Sequence, residues 1–147
     1  MKIPVLNMKL HYNNLEKIAH VLLDSGSSVP ILSDTWAIRN QTPVAERENK
    51  RPIRDYAGHE VPGSGQFFTS PLPLQYKTHW STISFEVAPM ASEYDIILPN
   101  WWLNEHPIKS RAFTSPKCRE QCTQDKHNSP YEWDTSILEV SRPQSRG

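Results

Sequence analysis

Asp24 is the acidic residue whose setting in the sequence most strongly indicates chemistry. It follows the apolar run 21–23, and Ser25 and Gly26 come directly after it. An unpaired carboxylate is costly to bury, so such groups are usually hydrogen-bonded, ion-paired or functional. Asp24 is therefore either a functional acid or a carboxylate that caps a turn at a strand end. Ser25 is not predicted to be a nucleophile, because no G-x-S-x-G turn surrounds it.

The chemistry open to Asp24 depends on a second acid. Hydrolysis of an amide needs a base for the attacking water and an acid for the carbonyl oxygen, and two carboxyls that share one proton supply both. The chain has one D-S-G triplet and no internal repeat, and its other acids lack that setting, among them Asp34, Asp55 and Asp95. The second carboxylate is therefore predicted to come from Asp24 of another copy of the chain across a two-fold axis.

A β-hairpin is predicted to position Asp24. Apolar and polar residues alternate over 6–12, Asn13-Asn14 is a turn signal, and the chain returns through 18–23 to the acid. Ser33 could cap a short turn or helix after the D-S-G segment. Further apolar runs predict strands at 72–76, 83–87 and 94–99, and a short helix at 100–107.

Composition bounds the classes of function. The 147 residues suit one domain with a tail, and 16 basic residues balance 16 acidic ones. The zero net charge gives no basic field for nucleic acid or a membrane surface, and no apolar run is long enough to span a bilayer. Two cysteines do not make a disulfide framework, which favours an intracellular, cytoplasmic setting.

The polar segment 111–147 is predicted to be a linker or extension, partly disordered, after a domain spanning 1–110. It contains Cys118-x3-Cys122, followed by His127. A structural zinc site needs four ligands, and the local sequence does not supply the fourth. Two thiols in a linker are therefore the favoured interpretation, and no metal site is predicted.

Three motifs in a fixed order carry a family resemblance. They are Asp24-Ser25-Gly26-Ser27, the glycine-tipped stretch Tyr56-Ala57-Gly58-His59, and YDIILPNWWLNEHP at 94–107. Together they resemble the retropepsin-type aspartic protease of gypsy-like LTR retrotransposons of the fungal type. The resemblance covers about residues 4–110, and the linked motifs make it far more specific than D-S-G alone.

The resemblance implies an all-β, retropepsin-like closed β-barrel with a short C-terminal helix and one half-site per chain. The strand at 96–98 would lie beside the Asp24 strand. The active form would be a homodimer that cleaves extended peptides, with a Gag-Pol polyprotein as substrate and virus-like particles as one setting. No cofactor and no direct nucleic-acid or membrane binding are expected. The implied roles are catalysis for Asp24, support of the active-site loop for Ser25, Gly26 and Ser27, and a substrate-binding flap for Ala57, Gly58 and His59.

The sequence departs from the family pattern at two places, and the first of these, Pro99, together with the short, isolated chain, motivates an alternative. Pro99 stands where the pattern most often has glycine, so the entry to the following helix must differ, and 106–108 reads H-P-I in place of H-x-P. The alternative is a catalytically inactive dimerisation or peptide-binding module with the same fold, from a decayed or co-opted retroelement.

Overall fold

Eleven strands and three short helices make up the part of the chain that the structure, a computed structural model, describes: residues 5–54, 57–90, 93–109 and 111–122. The strands are β1 (Val5–Tyr12), β2 (Leu15–Leu23), β3 (Ile31–Ser33), β4 (Ala45–Glu46), β5 (Phe67–Phe68), β6 (Leu72–Tyr76), β7 (His79–Ile83), β8 (Glu86–Ala88), β9 (Ile96–Leu98), β10 (Ile108–Lys109) and β11 (Ala112–Phe113). The helices are α1 (Asp34–Arg39), α2 (Asn100–Glu105) and α3 (Pro116–Gln121).

Strands β1 and β2 form the predicted hairpin. Tyr12 pairs with Leu15, and the two turn residues Asn13 and Asn14 have φ values of 50° and 63°. A two-residue turn with positive φ at both positions matches the right-handed twist of the flanking strands, and asparagine tolerates that conformation better than most residues. The turn therefore fixes the register that brings the end of β2, and with it Asp24, to the sheet edge where β9 also ends.

Nine strands form one sheet, in the order β4-β5-β8-β3-β9-β2-β1-β6-β7, and β10 pairs separately with β11. Strand β9 lies between β2, to which it is parallel, and β3, to which it is antiparallel. This confirms the predicted neighbour of the Asp24 strand. The predicted closed barrel is not formed by the strand pairings of the described residues, because β4 and β7 stand at opposite ends of the order. The sheet is a curled half-barrel.

The core lies where the inward faces of the hairpin and the central strands meet. Leu10, Val21, Leu32, Ile96 and Leu98 are fully buried there. Apolar side chains on alternate positions of β1 and β2 supply one wall, as the alternation in the sequence predicts. The strand that carries Asp24 is therefore packed into the core.

The helices are short and differ from the single one that the family resemblance implies. Ser33 caps α1, as predicted, because its hydroxyl oxygen accepts from the backbone N–H of Trp36 at 3.2 Å. Helix α3 was not predicted, and it begins with Pro116 at a position where the missing N–H costs nothing. None of the helices described here approaches the length and apolar character needed to cross a membrane.

Residues 111–122 contact the sheet rather than extending away from it. The Tyr76 hydroxyl donates to the Arg111 carbonyl at 3.0 Å, and the Trp80 N–H donates to the Cys122 carbonyl at 2.7 Å. The second bond is made by β7, the last strand in the order of the described sheet. The domain boundary at residue 110 stays a prediction, and 123–147 lies outside the described residues.

Candidate active site

Asp24 follows the last residue of β2 and continues its pairing with β9. Its backbone N–H donates to the Leu98 carbonyl at 3.0 Å, so two buried strands fix the position of its Cα. The side chain is half-buried at the end of the sheet. The sequence prediction of an acid carried by an apolar strand is confirmed in its placement.

The loop after Asp24 turns back on the acid. The Gly26 N–H donates to Asp24 Oδ1 at 2.9 Å, and the Ser27 N–H donates to the Asp24 carbonyl at 3.0 Å. A Cβ atom on Gly26 would lie 3.3 Å from Asp24 Oδ1, which is tighter than ordinary van der Waals contact. Glycine at this position therefore lets the backbone approach and orient the carboxylate.

Ser27 joins this loop to the helix behind it. Its hydroxyl donates to the Val29 carbonyl at 2.9 Å, and its own carbonyl accepts from the Asn100 N–H, the first residue of α2, at 2.9 Å. Ser25 is exposed at the tip of the loop. The structure thus brings the predicted loop residues together around Asp24, while their functional roles stay predictions.

Pro99 is accommodated without disturbing this arrangement. It is the N-cap of α2, with φ −86° and ψ 174°, and its carbonyl accepts from the Leu103 N–H at 3.1 Å. A φ near −65° is the value that proline imposes, so the helix begins after it without strain. The departure from glycine leaves the bond from Asp24 to Leu98 in place.

The glycine-tipped segment around residue 58 forms the predicted hairpin-like loop. An antiparallel bridge joins Arg54 to Glu60, and the Val61 N–H donates to the Ile53 carbonyl at 2.7 Å. Gly58 lies at the tip with φ 87°. The neighbouring Ala57 and His59 are exposed, as residues that contact a substrate would be, and Tyr56 lies outside the described residues.

An apolar groove of about 400 Å³ opens beside the Asp24 loop. Leu23 and Ser25 line it on the side of the loop. The remaining wall comes from the start of β1 and the region after α2, namely Val5, Leu6, Leu103, Pro107, Ile108 and Arg111. A concave and mostly apolar surface therefore adjoins the loop that carries Asp24, although Asp24 itself does not line it.

Comparison with known proteins assigns this arrangement to a family. A family model described as the PEG10/RTL1 protease domain matches residues 20–122, which include the Asp24 loop and α3. The chain belongs to this family. The predicted retropepsin-like domain is thereby supported, while the gypsy-like, fungal origin stays a prediction.

One solved structure, EIAV protease, agrees with this protease domain at the level of the fold. EIAV protease complexed with the inhibitor HBY-793 is 20% identical, with a TM-score of 0.50 over 71% of this chain and 88% of that one. The retroviral protease-like domain of Ddi1 from Leishmania major is 17% identical, with a TM-score of 0.47 over 74% of this chain and 82% of that one. No curated protein sequence matches the chain.

A second cluster of reactive side chains in this protease domain lies away from the D-S-G loop in the sequence. His79 begins β7, His106 follows α2, and Cys118 and Cys122 lie on and directly after α3. One nitrogen or sulfur atom of each lies within 4.8 Å of those of the other three. The two cysteines are not joined in a disulfide.

Burial determines the protonation of this cluster. It lowers the pKa of His79 to about 3, with a further contribution from the neighbouring His106 ring. Burial also raises the pKa of Cys122 to about 11, and the Cys118 thiol beside it adds to this rise by disfavouring a second negative charge. Burial likewise lowers the pKa of His106 and raises the pKa of Cys118. Both imidazoles are thus held neutral, and both thiols are held protonated when nothing else binds them.

The two histidines are the residues that sequence reasoning missed. The cysteine pair was recognised, but His127 was the nearest histidine in the sequence, and it lies outside the described residues. His106 belongs to the family motif at 94–107, and His79 lies between the strands predicted at 72–76 and 83–87. The i, i+4 spacing of the cysteines is the signal that points to them. A pair with this spacing can supply two ligands of a zinc site, and a four-ligand site then needs two more from elsewhere in the chain.

Proposed function

We propose that this protein is an aspartic endopeptidase that acts as a homodimer, with each chain supplying one Asp24. The observation that supports this proposal is the carboxylate at the end of β2, held by the Gly26 N–H in a chain of the PEG10/RTL1 protease domain family. One carboxylate per chain makes each subunit half of a site. The peptide-cleaving unit is then the two-fold pair.

In the proposed reaction, the two Asp24 carboxyls share one proton and hold a water molecule between them. The ionised carboxylate takes a proton from the water as its oxygen attacks the scissile carbonyl carbon, and the protonated one donates to the carbonyl oxygen. Collapse of the tetrahedral intermediate breaks the C–N bond and passes a proton to the leaving amine. The hydrogen bond from Gly26 orients one oxygen and leaves the other free to face the water.

The groove beside the Asp24 loop supports the second chain as its partner. An apolar surface that continues into the loop through Leu23 and Ser25 would be covered when two copies bring their acids together. The same contact would let the two exposed Ser25 side chains meet near the axis. A dimer therefore completes the site and removes apolar surface from water in one step.

The substrate class that this arrangement supports is an extended peptide. The exposed loop residues 57–59 belong to a hairpin that would lie over the cleft and hydrogen-bond to a peptide backbone, as flaps do in other enzymes. A polyprotein, with unstructured junctions between its domains, offers such segments. Its processing is the proposed role of the enzyme.

Incubation of the purified full chain with a diverse peptide library, read by mass spectrometry, tests the proposal. We expect cleavage that disappears in Asp24→Asn and persists in Asp34→Asn, a matched change at an acid in the first turn of α1. Cleavage that survives Asp24→Asn would contradict the proposal. A stable dimer with no turnover under mildly acidic conditions would instead support the non-catalytic peptide-binding module.

A further inference from the structure

The side chains of His79, Cys118 and Cys122 converge on one ring nitrogen of His106, while the Cys118 thiol also lies 3.8 Å from the Glu105 carbonyl oxygen. The Nδ1 atom of His106 lies 3.1 Å from His79 Nε2, 3.4 Å from the Cys118 sulfur and 3.7 Å from the Cys122 sulfur. A ring nitrogen carries either one N–H or one lone pair, so it can serve one of these three neighbours in good geometry. The convergence of three polar atoms on one nitrogen indicates a shared central partner.

Three separations in the cluster, all measured from His106 Nδ1, are close to those between ligand atoms around a tetrahedral metal ion, and the four ligand atoms all lie within 4.8 Å of one another. With zinc–nitrogen bonds near 2.0 Å and zinc–sulfur bonds near 2.3 Å, the ligand atoms lie about 3.3 Å apart for two nitrogens and about 3.5 Å apart for nitrogen and sulfur. The observed separations from His106 Nδ1, 3.1 Å to nitrogen and 3.4 and 3.7 Å to sulfur, match these values.

The surroundings suit a closed site. Cys118 is 1% exposed, and the His79 ring stacks on Phe113 with centroids 3.5 Å apart. Trp102 packs against both histidine rings, at 6.0 Å from His79 and 4.7 Å from His106. Two thiolates and two neutral imidazoles around Zn²⁺ have no net charge, so the complex can be buried without an uncompensated ion.

We propose that His79, His106, Cys118 and Cys122 form a structural Zn²⁺ site. Cys118 lies on α3 and Cys122 is the C-cap of that helix, a four-residue spacing typical of zinc ligand pairs, and two distant histidines complete the set. Four protein ligands leave no open position for water, so the ion stabilises the fold and takes no part in hydrolysis. Soft thiolates with imidazoles favour Zn²⁺ over Mg²⁺ or Ca²⁺.

The zinc site would link α3 and the end of α2 to strand β7 of the sheet. Its ligands come from β7, from the end of α2 and from α3, which otherwise meet through few backbone bonds such as that from Trp80 to Cys122. Binding of Zn²⁺ releases the two thiol protons, because the thiolate is the ligand form. The proposal is independent of the proposed protease activity, since it requires neither Asp24 nor a dimer.

Metal analysis of the reduced full chain, purified with zinc and dialysed, tests the site. We expect about one Zn²⁺ per chain, lost in Cys122→Ser and in His79→Gln, and retained in Asp24→Asn. His127→Gln is the matched control, because His127 is the other histidine close to the cysteines in the sequence. Retention of zinc in both ligand variants, or its loss in His127→Gln, would overturn the proposed ligand set.

Replacement of zinc by Co²⁺ in the unmutated chain keeps the test valid if a ligand variant does not fold. We expect thiolate-to-cobalt charge-transfer bands and the intense d–d bands of tetrahedral Co²⁺, at one equivalent. Removal of Zn²⁺ with a chelator should lower the midpoint of thermal unfolding by about 10 °C. Octahedral Co²⁺ spectra, no uptake of either metal, or a Cys118–Cys122 disulfide as the stable state of the purified chain would overturn the proposal.

Discussion

Gly26 sets how the candidate catalytic carboxylate is held. Its backbone N–H donates to Asp24 Oδ1. Because glycine has no side chain, the space next to this oxygen stays open, whereas a Cβ atom there would lie only 3.3 Å from it. The backbone at this glycine needs no left-handed conformation, so its role is close approach and not flexibility. A side chain at position 26 is therefore expected to displace the Asp24 carboxylate without straining the backbone fold.

Gly26→Ala should therefore reduce peptide cleavage with little loss of stability. A shift of the carboxylate by a few tenths of an ångström is expected to lower kcat about tenfold, since misplacement by about 1 Å can cost a hundredfold. Cleavage rates and urea unfolding of the variant measure the two effects. Ser28→Ala, in the exposed part of the same loop, is the control and should leave both unchanged. Unaltered kcat in Gly26→Ala would contradict this role.

Tyr12 is a buried titratable group at the end of β1 that the proposed chemistry does not use. Its hydroxyl donates to the Asn40 carbonyl at 2.8 Å and accepts from the Thr42 hydroxyl at 3.1 Å. Burial raises the pKa of Tyr12 above its usual value, while the bond from Thr42 acts in the opposite direction. The side chain thus joins the hairpin to the end of α1 in its protonated form.

Tyr12→Phe should lower the free energy of unfolding by about 1–2 kcal/mol at pH 7, because it leaves two polar groups unpaired. Above about pH 10 the unfolded tyrosine ionises before the folded one, so this residue's contribution to stability falls as the pH rises. The difference between parent and variant should therefore shrink between pH 7 and about pH 10.5 in denaturant titrations. A difference that is constant or grows with pH would contradict the raised pKa.

At the scale of elements, the loop around Gly58, which is the proposed flap, has a close backbone contact at its base. Gly65 has φ 82°, and a Cβ there would lie 2.1 Å from the Arg51 carbonyl oxygen. Gly58, at the tip, has a similar φ of 87° but open space around it. The two glycines share a backbone conformation and differ in their surroundings.

The paired variants Gly65→Ala and Gly58→Ala should separate steric overlap from backbone strain. Gly58→Ala should cost about 1 kcal/mol, the penalty for a left-handed residue with a side chain. Gly65→Ala should cost about 3 kcal/mol or more, because backbone must move to admit the methyl group. Urea unfolding of both variants measures these losses. Equal losses would show that the base of the loop adapts without cost.

The elements also show what the sequence could and could not predict. The β1–β2 hairpin, the capping of α1 by Ser33 and the pairing of β9 beside the Asp24 strand follow from local alternation, turn residues and the family motifs, and the structure confirms them. The open sheet and the meeting of His79 with Cys118 depend on contacts between residues far apart in the chain. Local spacing carries no information on such contacts, and so these features were missed.

At the scale of the whole molecule, the proposed site exists only between chains. Activity per chain should therefore fall on dilution, and a dimer of one active and one inactive chain should not cleave peptides. When parent and Asp24→Asn chains are mixed in equal amounts and allowed to exchange, random pairing leaves about one quarter of the dimers with two intact acids. The cleavage rate should drop to about half of the unmixed parent's rate per parent chain.

The control for this mixing experiment is an equal amount of parent chain mixed with Asp34→Asn, which should retain full activity. Analytical ultracentrifugation at the same concentrations reports the dimer fraction. If the rate per parent chain changes neither on dilution nor on addition of the Asp24→Asn chain, the complete site lies within one subunit, which contradicts the proposed half-site.

The hydrogen bond from Trp80 to the Cys122 carbonyl has a consequence for the behaviour of the chain in solution. Strand β7 ends the sheet, and an end strand with unsatisfied N–H groups is a template for pairing with other molecules. The segment after residue 110 satisfies one N–H group of β7, because the Cys122 carbonyl accepts from the Trp80 N–H. A chain cut after residue 110 should therefore self-associate into β-rich aggregates, visible as light scattering that rises with concentration, while the full chain stays clear.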